Sequence, residues 1–113
     1  LAAGKPDVIV FELGDGILGA YGVGAILRQA DIKASLTSVV LSANDPVAAW
    51  GGVELLRKEF GIDPSVVTGP STDNQVGRDI IRERTGGPAI NAVTDAAELG
   101  NAVARSIGFR VSE

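Results

Sequence analysis

Two acidic residues set among glycines are the first candidates for chemistry in this chain. Glu12 and Asp15 sit in the run Val8-Ile9-Val10-Phe11-Glu12-Leu13-Gly14-Asp15-Gly16. A carboxylate at the end of a buried strand costs several kcal/mol to keep charged unless it is paired, hydrogen-bonded or holding a cation. Mg²⁺ held by Glu12 and Asp15 beside a phosphate satisfies that requirement, and pairing of Glu12 with Lys5, Lys33 or an Arg satisfies it equally. The chain contains neither Cys nor His, so Zn, haem and Fe–S ligation are not expected and proton transfer falls to Asp, Glu, Lys and hydroxyls. Glu12 and Asp15 are therefore the catalytic candidates as well.

Gly14-Asp15-Gly16-Ile17-Leu18-Gly19 spells G-x-G-x-x-G between an expected strand and an expected helix, the context of a phosphate-binding turn. A dinucleotide site also needs an acidic residue about 20 positions on, for the ribose hydroxyls. Leu41 or Ser42 stands there, and Asp45 comes later, beside Pro46, as a helix cap. NAD(P) binding is accordingly a secondary expectation. The Val8–Gly16 stretch also resembles the Walker B side of P-loop enzymes similar to dethiobiotin synthetase and the MinD-like ATPases, in which an apolar strand ends in an acidic residue followed by glycines. That resemblance implies that Glu12 helps hold the Mg²⁺ of a bound nucleotide. The chain carries no G-x-x-x-x-G-K-[ST] sequence, so the resemblance places the phosphate-cradling half in a preceding part of a longer polypeptide.

The surrounding elements alternate. Val8 to Leu13 reads as a strand buried on both faces, and Ile17 to about Ala30 as a helix weakened by Gly19, Gly22 and Gly24. Leu36 to Leu41 reads as a second strand. Asp45 then caps a helix with Pro46 at its first position, running to Phe60 before Gly61, with Val47, Trp50, Val53, Leu56 and Phe60 assigned to its core side. Ser65 to Thr68 follows as a strand, and Thr72 with Gln75 as a capping box for a helix that ends at Gly86-Gly87. That helix turns Val76, Ile80 and Ile81 inward and shows Arg78, Arg82 and Arg84 to water. Pro88 to Ala92 supplies a fourth strand, a helix through Leu99, Val103 and Ile107 follows, and Phe109 to Val111 is open to an edge strand.

Strand and helix units in this order predict an α/β fold: a three-layer, Rossmann-like domain with a mostly parallel sheet of four or five strands, helices on both faces and right-handed crossovers. The polar turns after the strands then form one rim, where ligands of open parallel sheets bind. The expected ligand-binding residues are Gly14, Gly16 and Gly19, then Ser42 and Asn44, then Thr68, Gly69, Ser71, Thr72, Asp73 and Asn74, and finally Asn91. Each polar member is also a natural helix cap.

A length of 113 residues suits one domain, and 45% hydrophobic residues with only 4% aromatic ones imply an aliphatic core. The lack of Met and the lead-in Leu1-Ala2-Ala3-Gly4-Lys5-Pro6 suggest an excised piece of a longer polypeptide. A net charge of −4 gives no electrostatic attraction to nucleic acid or an anionic membrane. No apolar run reaches the roughly 18 residues of a membrane span, and no secretory signal is evident, so a cytoplasmic location is expected. Two classes of function fit: a domain of a larger enzyme binding a nucleotide or another phosphorylated small metabolite at the rim, or a non-catalytic Rossmann-like module for oligomerisation or regulation, itself a homo-oligomer.

Overall fold

A computed structural model describes residues 7–108. Among these, helices α1 (Val23–Arg28) and α2 (Ala30–Ser35) precede strand β1 (Val40–Ser42), helix α3 (Pro46–Phe60), strand β2 (Val66–Thr68), helix α4 (Gln75–Thr85) and helix α5 (Ala96–Ser106). A 3₁₀ turn, Pro70–Thr72, links β2 to α4.

The expected sheet of four or five strands is overturned, and the three-layer Rossmann-like domain with it. The described residues form a two-stranded parallel sheet in which Val40, Leu41 and Ser42 pair with Val66, Val67 and Thr68. Of the Pro88–Ala92 strand only an isolated parallel bridge between Val67 and Ala89 forms, held by Val67 N donating to Pro88 O (2.9 Å) and Ile90 N donating to Val67 O (3.0 Å). Val8 to Leu13 joins no strand, and Val10 and Phe11 are 88% and 68% exposed. A run of apolar, β-branched residues fits a strand only if a neighbour pairs with it and covers it, and here neither occurs. The long first helix is also broken: Gln29 adopts extended geometry between α1 and α2, and the glycines before Val23 form turns. The Phe109–Val111 segment and Lys5 lie outside the described residues.

Local chemistry explains the elements that do form. The Asp45 carboxylate accepts from Ala48 N at 2.8 Å, Pro46 occupies the first turn of α3, and Gly61 ends it at φ +64°. In α4 the cap is Asn74, whose Oδ1 accepts from Gly77 N at 2.8 Å, so the expected Thr72–Gln75 box does not form. Thr72 turns its hydroxyl to Gly69 O instead, at 2.7 Å.

The core has two parts. Ala43, Ala49, Val53, Val67, Ile81 and Ala89 form the first, between the strands, α3 and α4. Val23, Leu27, Leu56, Phe60 and Ile62 form the second, and Leu41 packs against both. Gly52 gives the Leu41 side chain room, since a Cβ there would stand 2.8 Å from Leu41 Cδ2. On α3 the inward stripe is Ala49, Val53, Leu56 and Phe60, at offsets of four, seven and eleven. Trp50 lies about 100° off that stripe and is 45% exposed, contrary to its expected core placement. On α4, Gly77, Ile81 and Thr85 turn inward, and Val76 and Ile80 are exposed.

Leu41→Ala should lower the unfolding free energy by about 2–3 kcal/mol, since it opens space in both clusters. Val10→Ser should change it by less than about 0.5 kcal/mol, as expected of an exposed side chain. Urea midpoints of the two variants check this, and a large loss in Val10→Ser would show the first apolar run to be buried after all.

Candidate functional site

The carboxyl ends of β1 and β2 carry the polar cluster foreseen from the sequence, and the fold draws it together from three turns. Gly69 takes φ +89° and ψ −173°, a conformation open essentially to glycine alone. A Cβ there would also stand 2.6 Å from Ser42 Oγ and 2.7 Å from Ala43 O. Ser71 N donates to Ala43 O at 2.9 Å, which ties the 3₁₀ turn to the end of β1.

Asn91 is the hub. Its Nδ2 donates to Thr72 Oγ1 at 3.1 Å and to Asp73 Oδ1 at 3.0 Å. Its Oδ1 accepts from Val93 N and Thr94 N, at 2.9 and 3.0 Å. Thr68 Oγ1 accepts from Ala92 N at 3.1 Å, and Ser71 Oγ donates to Thr68 O at 3.3 Å. Arg78 and Arg82, expected to be solvated, reach back to the backbone: Arg78 Nη1 donates to Thr72 O and Arg82 Nη2 to Ala89 O, at 2.6 and 2.9 Å. Thr68, Ser71, Thr72 and Asn91 are buried, and no buried side-chain polar atom among the described residues lacks a partner. The cluster is a closed network whose groups bond to one another. Asn44 is exposed on the turn before Asp45, and Asn74 is committed to capping α4.

Gly14, Gly16, Gly19, Glu12 and Asp15 belong to a different end of the molecule. Their loop enters the second core cluster through Ile17, whose carbonyl oxygen lies close to Gly24, as does the Phe60 ring. Phe60 ends α3 and Asp45 begins it, and 15 residues of helix span about 22 Å. The glycine turn therefore does not join the rim. Its residues serve the loop itself. Asp15 Oδ2 accepts from Tyr21 N at 3.1 Å, Gly19 N donates to Gly16 O at 3.2 Å, and Gly16 takes φ +82°. Gly19 must be glycine because a Cβ would collide with Asp15.

Glu12 is exposed, and Lys33 donates to Phe60 O at 3.1 Å. Glu12 thus bears no desolvation cost for a partner or a cation to offset. Among the described residues no three acidic side chains gather into a metal-binding group.

The outer surface where α3 meets α4 holds a feature that the periodicity of α3 concealed. Asp45, Pro46, Val47, Ala48, Trp50, Ile80 and Arg84 line an open groove that is mostly apolar. The Arg84 guanidinium lies over the Trp50 ring, 5.8 Å from its centroid. Counting Ala49 in the helical stripe would have exposed the signal, because Val47 and Trp50 then fall outside it.

Comparison with protein-family models, with curated proteins and with solved structures finds no match to this chain. No helix among the described residues is long and apolar enough to cross a membrane.

Asn91→Leu should destabilise the fold by about 1–3 kcal/mol, because it strands the Val93 and Thr94 amides and the Asp73 carboxylate. Asn44→Ala should change stability by less than about 0.5 kcal/mol. Thermal melts of the two variants give the comparison, and equal melting temperatures would rule out Asn91 as the hub.

Proposed function

We propose that this chain is a non-catalytic assembly module whose contact face is the groove between α3 and α4. The observation that carries the reading is the solvated apolar wall of Val47, Trp50 and Ile80, with Val47 74% exposed, on the best-formed pair of helices in the fold. Apolar surface in a groove gains free energy when another surface covers it, at about 25 cal/mol per Å² removed from water. A half-exposed Trp held by an Arg has the composition of an interface hot spot. The rim supports this assignment from the other side, since Thr68, Ser71, Thr72 and Asn91 spend their hydroxyl and amide groups on one another and on nearby backbone.

Binding of a nucleotide or phosphorylated metabolite at the rim is the second reading, favoured by the convergence of Thr68, Ser71, Thr72, Asp73 and Asn91 from separate turns. It requires the network to reopen around the ligand.

Trp50 is the only tryptophan in the chain, so its fluorescence reports on the groove directly. The dye bis-ANS should bind wild type and quench Trp50, and a Val47→Ser/Ile80→Ser double variant that melts like wild type should lose most of that binding. Equal binding by the double variant would overturn the assembly reading. A thermal shift with millimolar ATP, GTP, NAD⁺ or NADP⁺, with and without Mg²⁺, would favour the rim. Saturation at 100 times Kd adds about 2.7 kcal/mol, which such a panel detects.

A further inference from the structure

Two adjacent glycines in the middle of α3 have different reasons to be there. Gly52 lies against the Leu41 side chain, as described above. Gly51 is exposed, and a Cβ placed on it would meet nothing within 4 Å. Glycine inside a helix costs about 1 kcal/mol relative to alanine, and nothing among the described residues requires that cost at position 51. Helical geometry puts Gly51 on the side of α3 opposite the core, in line with Val47, Glu54 and Lys58 at offsets of four, seven and eleven from Val47. A helix side that carries a glycine at its centre lets another backbone approach closely, since side chains at the contact set the interaxial distance.

We propose that the partner is a second copy of this chain, docked antiparallel along α3 with a two-fold axis beside Gly51. The proposal rests on the assembly reading and names its partner from the charge order along the helix. Asp45 stands at the N-terminus of α3, and Glu54 follows Gly51 and pairs at 3.0 Å with Lys58 near the C-terminus. This exposed pair within one helix exchanges readily for contacts to another copy, because the Lys58 side chain is 77% exposed. Parallel docking sets like charges and like dipole ends together. Antiparallel docking about Gly51 opposes the dipoles and brings Lys58 to the Asn44–Asp45 end of the other copy. The same operation sets Glu54 opposite Ala48 of the other copy, on the groove wall that carries Arg84. A two-fold axis forms each of these pairings twice, and a shallow crossing of about 20° keeps the helices in contact over that length.

Sedimentation equilibrium of the 113-residue chain, from low micromolar to near-millimolar concentration, tests the proposal. The expected mass rises from 11.5 kDa to twice that value, and the Trp50 emission shifts to the blue over the same range. Gly51→Leu should remain monomeric with a melting temperature at or above that of wild type, since a better helix former replaces glycine at an open position. Arg84→Glu should weaken association by roughly tenfold or more, and Arg84→Glu/Glu54→Arg should restore it. A wild type that stays at 11.5 kDa throughout, or a Gly51→Leu variant that dimerises like wild type, overturns the two-fold dimer. The dye experiment separates the two levels: a monomer whose groove still binds bis-ANS leaves the assembly reading standing with a different partner, and dye binding indifferent to Val47 and Ile80 removes both.

Discussion

The packing of Leu41 against both core clusters holds the two halves of this fold together. Leu41 is the middle residue of a three-residue strand, yet it packs against both core clusters, one shared with α4 and the other with α1. α3 passes close to it at Gly52, where a Cβ would stand 2.8 Å from Leu41 Cδ2. A strand of three residues contributes few ladder hydrogen bonds, so cohesion comes from side-chain burial around α3 rather than from the sheet. α3 is thus the axis of the structure, with the polar network at its beginning and the packing of α1 and the glycine turn at its end.

What could be read from the sequence follows from which signals are local. Capping by Asp45, the first-turn Pro46 and the stop at Gly61 act within a few residues, so the limits of α3 were legible to the residue. The end of α4 at Gly86 was legible for the same reason. Strand pairing is not local. Val8 to Leu13 has the composition of a buried strand, but composition does not specify a neighbour, and this segment remains outside the sheet. At the Thr72–Gln75 box two local rules competed. Asn74 lies closer to the helix start and bonds Gly77, which released Thr72 to the Asn91 network.

The candidate site was half legible. Residues that follow strands do gather at one end, as topology requires of parallel strands, and Thr68, Ser71, Thr72, Asp73 and Asn91 met there. The glycine motif misled because G-x-G-x-x-G records backbone demands without recording their cause. Here the demands are a left-handed residue at Gly16 and clearance for the Asp15 side chain at Gly19, both internal to one loop. Trp50 was misplaced for a related reason, since an apolar residue on an amphipathic helix was assigned to the core without allowing for a side edge that faces a groove.

The attachment of α5 has a kinetic meaning. This helix buries none of its residues fully, and its C-terminal end is tied down by a chain of hydroxyls, with Ser106 donating to Ser38 at 2.7 Å and Ser38 to Ser65 at 3.2 Å. Such a helix has fewer buried contacts to break than α3, so its backbone amides are expected to exchange by an opening of lower free energy. On burial alone α5 is an outer element and α3 the inner one, and an opening that begins at α5 leaves the contacts around α3 in place.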